Sequence, residues 1–259
     1  MGETFSRREE QYAVSSKNKI QNPNEKSKSF VWALVALVVV VVAVVGYIVM
    51  QGRENAKNQF ADHPVEDVAF NVAVDGNAIT LKSDKAAKDA KVVDIYEDYS
   101  CPHCGDLAIE TDEQTRKLLD EGKVILNIRD LNFLDDKDGS DGEPATDGNS
   151  TLAGASALAI AQDGDAKTYW AYRDLLYKEQ GSIYNKWNAD DFADAAEQIG
   201  ASEDAVAKIR DYALREELVE HAEANAKELE SKLGKVSSPQ VFVDGKHIEG
   251  NPAEWVNNV

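Results

Sequence analysis

Cysteine, histidine and positive charge are all scarce in this chain. Of its 259 residues only two are cysteine and four histidine, and 28 Lys/Arg stand against 47 Asp/Glu, a formal net charge of −19. Two cysteines cannot build a disulfide framework, so stability has to come from a packed core. A structural zinc site normally takes four ligands, and His63, His221 and His247 show no ligand spacing, so no metal site is expected. The acidic excess excludes nucleic acid as a partner, which needs a basic face, and reads instead as a solubilising surface. Charge is also unevenly placed: residues 1–29 hold six Lys/Arg against four Asp/Glu, so the acidity lies in the rest.

The two cysteines that are present stand together, in Cys101-Pro102-His103-Cys104. They fall where an apolar, β-branched run (91–96) gives way to a helical pattern through Leu107, Ala108, Thr111, Leu118 and Leu119. A C-x-x-C at a strand-to-helix junction is a thiol redox signature. The first turn of a helix offers unpaired N–H groups and a partial positive charge, and both stabilise a thiolate. Pro102 suits the first helical position, where its missing N–H costs nothing. His103, if protonated, adds a second positive charge beside Cys101. Such surroundings lower a thiol pKa from about 8.5 to as low as about 3.5. Cys101 is then expected to be the exposed nucleophile, and Cys104, one turn further in, the more buried resolving thiol. The bland alternative is a static disulfide at a helix start.

Along the chain, residues 1–29 read as a disordered polar tail. Phe30 to Met50 is 21 residues without a charge. As a helix it would be about 31 Å long, close to the thickness of a bilayer's hydrocarbon. Trp32 and Tyr47 lie near its ends, where aromatic rings favour the interface, and the upstream Lys/Arg excess orients the tail inward. This predicts a single-pass protein of the cell membrane, in contact with lipid through residues 30–50. Its N-terminus would be cytoplasmic and the remainder extracytoplasmic. Residues 51–66 read as a linker. Alternation predicts strands near 68–74 and 78–81 joined by a turn at Asp75-Gly76-Asn77, then 91–98 and 123–129 flanking the redox helix. The Asp/Gly-rich loop 135–150 lacks the glycine that a calcium loop needs at its sixth position. Helices are predicted at 151–163, 166–179, 188–199 and 202–233, with the aromatics Tyr169, Trp170, Tyr172 and Tyr177 as core. Pro239 leads into a strand that turns at Asp244-Gly245, and Pro252 starts a short helix containing Trp255.

Tyr96 to Cys104, and Leu233 to Pro239 followed by Phe242-Val243-Asp244-Gly245, resemble the redox motif and the cis-proline loop of the DsbA-like branch of the thioredoxin superfamily. Cys104 and Pro239 are 135 positions apart, and the helical stretch between them resembles the domain inserted in DsbA. With the apolar segment ahead of it, the chain resembles the membrane-anchored, MdbA-like kind from actinobacteria. The resemblance implies an α/β class: a thioredoxin fold over residues 67–259 with an inserted α-helical domain at about 150–233, preceded by one transmembrane helix. It implies a protein disulfide oxidoreductase whose only redox group is its cysteine pair, with no cofactor. Pro239 would be cis and abut the disulfide, and Ser238 would pair through its backbone with an extended client. Implied partners are unfolded exported polypeptides and a DsbB-like or VKOR-like membrane reoxidant. Two positions depart from the pattern. Ile95 stands where many relatives carry a charge, which leaves Asp94, Glu97 and Asp98 open as proton-transfer groups. Ser238 replaces the Val or Thr of other branches. A reductase or isomerase on the same fold, and a non-catalytic anchored chaperone, are the competing readings.

Overall fold

The computed structural model describes residues 28–56, 59–135 and 146–259. Most of the tail predicted at 1–29 and the tip of the loop at 135–150 lie outside the described residues. The chain divides into two units, Met1–Arg53 and Glu54–Val259. Helix α1 (Lys28–Ala56) contains the whole uncharged segment. Its side chains are described for residues 31–47, where Trp32, the valines and Tyr47 are exposed. No helix among the described residues is long and apolar enough to cross a membrane. The segment predicted to span is helical throughout.

The second unit is built on a six-stranded mixed sheet. Its strands are β1 (Asn71–Asp75), β2 (Ala78–Lys82), β3 (Lys91–Glu97), β4 (Val124–Asp130), β5 (Gln240–Val243) and β6 (Lys246–His247), in the order β1-β2-β4-β3-β5-β6. Gly76, at φ +57°, makes the β1–β2 turn. β3 and β4 run parallel, joined by helix α2 (Pro102–Asp120), because a parallel pair needs a crossover. β5 runs antiparallel to β3, pairing Ile95 with Val241 and Tyr96 with Gln240. The C-terminal end of β3 thereby meets the N-terminal end of β5. Two loops far apart in the chain, 98–101 and 237–239, are brought side by side.

Between β4 and β5 lie α3 (Asn149–Gln162), α4 (Ala166–Lys178), α5 (Gln180–Ile183), α6 (Ala189–Gln198), α7 (Glu203–Arg210) and α8 (Arg215–Leu233). Asp165, Asn188 and Ser202 cap α4, α6 and α7 with their side chains, and Gly234 ends α8 at φ 72°. α3 is buried along almost its whole length, and Gly154 lets Leu218 approach: a Cβ there would lie 2.7 Å from Leu218 Cδ2. The single helix predicted over 202–233 is two helices, broken at Tyr212, whose φ is 54°. The reason is phase. Ile209 and Leu218 are both buried, yet nine residues on one continuous helix of 3.6 per turn would set them on opposite faces. After β6, the short helix predicted from Pro252 is a 3₁₀ helix, Pro252–Asn257, and it buries Trp255 completely.

One buried ion cluster ties sheet, redox helix and insertion together. Arg173 on α4 grips Glu97 at the end of β3 with two hydrogen bonds (2.8 and 2.6 Å) and Asp112 on α2 with a third (2.6 Å). Arg173 is 2 % exposed and Glu97 1 %, so neither charge has water as an alternative partner. Removing one member of such a cluster strands the others. Arg173→Met should therefore destabilise the fold by about 3–5 kcal/mol, with part of the loss recovered when Glu97→Gln is added. Urea unfolding of the single and double variants measures both.

Candidate active site

Cys101 occupies the N-cap of α2 in extended conformation, with Pro102 in the first helical turn and Cys104 beginning the next, its N–H bonded to the Cys101 carbonyl at 3.0 Å. Both cysteines are free thiols. Across from them the Ser238–Pro239 peptide is cis, and the Ser238 carbonyl oxygen lies 3.5 Å from Cys101 Sγ. The two sulfurs are pushed in opposite directions. The Cys101 thiol is lowered from an ordinary 9.0 to about 5, first because the Cys104 thiol donates a hydrogen bond to it. Burial opposes the shift, while the Ser238 hydroxyl and the N–H groups of Cys104 and His103 reinforce it. The Ser238 carbonyl would suit a protonated thiol, but the Ser238 hydroxyl, which has no other hydrogen-bond partner, suits the anion. Cys104 goes well above its usual value because it is buried and because Cys101 is beside it. It accepts one hydrogen bond, from the Asp98 N–H at 3.4 Å.

Two expectations from sequence are corrected here. Cys101 is not exposed: it is 6 % accessible against 1 % for Cys104, because the cis-proline loop and α2 close over it. The His103 imidazole is not the part of His103 that lowers Cys101. It is 82 % exposed and faces Asp106 at 3.5 Å, so what His103 offers the sulfur is its backbone N–H.

Several side chains hold the site, and Gln180 and Asn149 among them were given no role in it from sequence. Gln180, from α5, donates to the carbonyls of Tyr99 (2.7 Å) and Cys101 (3.0 Å). The Asp98 carboxylate accepts from the Ser100 N–H (2.8 Å), the Ser150 hydroxyl (2.6 Å) and the Leu134 N–H (3.3 Å). Burial raises it to about 7. Asn149 donates to Ser100 Oγ, and the Ser100 hydroxyl in turn donates to Ser150 Oγ at 2.8 Å, so the start of α3 is stitched to the redox loop. The three acids left open by the sequence have three separate partners: Asp94 meets Arg129 and Asn127, Glu97 meets Arg173, and Asp98 meets Ser150. Beside the cysteines is a cavity of about 280 Å³, whose walls include His103, Asp106, Leu107, Glu110, Pro239 and Pro252. A larger one of about 420 Å³ is walled by Asp112, Arg116, Trp170 and Asp174, and neither cavity is lined by a cysteine. No group of three or more His, Cys, Asp or Glu among the described residues is placed to hold a metal ion.

A family model described as thioredoxin matches residues 86–257. The structure is similar to that of the MdbA protein, a thiol-disulfide oxidoreductase from Corynebacterium diphtheriae, at 48 % identity and a TM-score of 0.73, over 78 % of this chain and 98 % of that one. The chain belongs to the thioredoxin family, among the MdbA-like thiol-disulfide oxidoreductases. The MdbA protein of Corynebacterium matruchotii is similarly near, at 44 % identity and a TM-score of 0.73, over 80 % of this chain and 99 % of that one. Oxidised DsbA from Mycobacterium tuberculosis, at 21 % identity and a TM-score of 0.54 over 70 % of this chain and 90 % of that one, shares the fold. A search of curated proteins finds no match. The mixed sheet and its helices are thus a thioredoxin-like α/β fold, and the activity is dithiol–disulfide exchange.

Cys101 makes two measurable statements. The rate of its alkylation by iodoacetamide in the reduced protein should titrate with a midpoint of about 5. Its folded pKa is depressed, so it stabilises the reduced fold in full above pH 9, less as pH falls from 9 to 5, and not at all below 5. At pH 7 the contribution is about 3 kcal/mol. The melting temperature of the reduced form should therefore fall relative to the disulfide form on acidification from pH 8 to pH 5, which calorimetry on the two forms will read.

Proposed function

We propose that this protein is an extracytoplasmic, membrane-anchored oxidase that donates the Cys101–Cys104 disulfide to exported polypeptides as they fold. The observation that carries this reading is the split between the two thiols, one lowered to about 5 and the other raised by burial. A client thiolate attacks Cys101 Sγ. The bond to Cys104 breaks and its electron pair goes to the Cys104 sulfur. The client's second thiol, as thiolate, then attacks its own sulfur in the mixed disulfide, and Cys101 leaves as the stabilised anion. The stabilisation of about 3 kcal/mol at pH 7 corresponds to roughly 60 mV toward a more oxidising couple. Pro239 offers no N–H to compete, and the backbone of Ser238 pairs with the extended client, which lies along the cavity of about 280 Å³ beside Cys101.

In this proposal residues 30–50 cross the membrane, 1–29 face the cytoplasm, 51–66 are the linker and 67–259 work outside. A DsbB-like or VKOR-like membrane protein restores the disulfide. The test is oxidative refolding of a reduced, unfolded substrate by stoichiometric oxidised protein. Cys101→Ala should slow it by at least about a hundredfold, and Cys104→Ala loaded at Cys101 as its mixed disulfide with glutathione should exchange glutathione for the client, giving a client-linked mixed disulfide visible on a non-reducing gel. A Cys101→Ala variant that oxidises the substrate at full speed overturns the proposal. Acid-quench alkylation of intact cells should find the pair as the disulfide, whereas a dithiol resting state favours an isomerase.

A further inference from the structure

Gln180, the first residue of α5, reaches the redox loop from the inserted helices, 79 positions from Cys101. Its side-chain nitrogen donates one hydrogen to the Tyr99 carbonyl (2.7 Å) and the other to the Cys101 carbonyl (3.0 Å). Both partners are acceptors, so the nitrogen of the amide, and not its oxygen, has to face the loop. The amide rests on the first turns of α2: a Cβ on Gly105 would lie 3.4 Å from Gln180 Oε1 and 3.7 Å from Tyr177 Cδ1. Tyr177, three residues earlier, stacks on Tyr99 with ring centroids 5.0 Å apart, and Ile183 at the far end of α5 is buried, so the amide is held from both sides. Tyr99 and Cys101 are themselves buried. A carbonyl there that lost its donor would have little water to turn to.

The Cys101 carbonyl is where these bonds meet the chemistry. It accepts from the N–H groups of Cys104 (3.0 Å) and Gly105 (3.3 Å) as well as from Gln180. The Cys104 N–H is wanted twice, because it also serves the Cys101 sulfur. Pro102 brings no N–H to this turn, and the sulfur draws on those of His103 and Cys104. A donor from outside the helix, placed on the carbonyl, relieves its demand on the Cys104 N–H. It also fixes the peptide plane that leads into α2.

We propose that Gln180 is a positioning residue for disulfide exchange: it holds the carbonyls of Tyr99 and Cys101 so that the His103 and Cys104 N–H groups stay on the Cys101 sulfur. The helical insertion thereby helps to set the redox balance of the cysteine pair. The inference rests on exchange at Cys101, whichever way electrons pass between it and a client. Reduction at pH 7 consumes two glutathione thiols. It yields glutathione disulfide, the Cys104 thiol, the Cys101 thiolate and one proton. The N–H groups favour the thiolate among these products, so their effect on the equilibrium is present at high pH and is lost as pH falls through about 5. Orphaning a carbonyl, by contrast, costs the oxidised and reduced chains alike.

The test brings the oxidised full-length chain to equilibrium in glutathione buffers from pH 4 to 8, and follows Cys101 alkylation in the reduced chain. Gln180→Met keeps the length of the side chain and removes both hydrogens. It should make Cys101 about tenfold less acidic, so that its alkylation midpoint rises from about 5. The equilibrium should move toward the protein disulfide by about tenfold at pH 7 and by less than about twofold at pH 5. Acidification protonates Cys101 in both chains, and the difference goes with it. Should Gln180→Met fail to fold, Gln180→Ala and Gln180→Glu, which also lack the paired donor, carry the test. A wild-type midpoint in the variants that fold overturns the proposal. So does an equilibrium displaced equally at every pH, which is what a role in the fold alone would give. No client enters this equilibrium, so failure of the oxidase reading leaves its outcome unchanged.

Discussion

The pairing of β5 with β3 is the constraint on which the site depends. Antiparallel registry of Tyr96 with Gln240 leaves the exit of one strand and the entry of the other at the same edge of the sheet. Cys101 is thereby set against the cis-proline loop although 137 residues separate it from Ser238. No local propensity places a carbonyl and a hydroxyl from that loop over the sulfur. The ladder does so, and everything else at the site is arranged around a sulfur already covered on one side.

Once covered, the two sulfurs divide the chemistry through their surroundings. Cys101 has donors on several sides: the Cys104 thiol, two N–H groups of the first helical turn and the Ser238 hydroxyl. Cys104 has one backbone N–H, is buried and lies near the Cys101 sulfur and the Glu97 charge, so its anion is disfavoured. The same helix start that favours charge at its first residue takes the fourth into the core. A mixed disulfide formed at Cys101 is thereby set to release Cys101 as the stabilised anion, whereas Cys104 is favoured as the neutral thiol.

Much of this arrangement was legible in the chain. Periodicity locates the redox helix, the flanking parallel strands, the Asp244-Gly245 turn and most of the insertion, because each is a local pattern of apolar spacing and punctuation. Two kinds of feature were not legible. One is phase over long distances: Ile209 and Leu218 each fit a helix, and only their angular offset reveals the break at Tyr212. The other is pairing of charges across the fold. Glu97 and Arg173 stand 76 positions apart, and each resembles a surface residue until β3 is seen to be buried over its last five positions. A signal did exist: acids at the end of a central strand, and one arginine within Tyr169-Trp170-Ala171-Tyr172-Arg173, imply a partner. Which partner is a matter of tertiary structure. His103 shows the converse error, since the sequence suggested a charged ring acting on the sulfur, where its contribution is the backbone N–H.

The hydrogen bonds from Asn149 and Ser150 to the loop before Cys101 bear on how separable the parts of this fold are. Asp98 and Ser100 find their partners in α3, Glu97 finds its own in α4, and the carbonyls of Tyr99 and Cys101 find theirs in α5. The helical insertion is therefore not a cassette that could be excised or exchanged to leave a minimal redox module behind. Grafting this loop onto a bare scaffold would leave two acids and two carbonyls facing solvent or one another, so the sheet and the helices have to be transplanted as one piece.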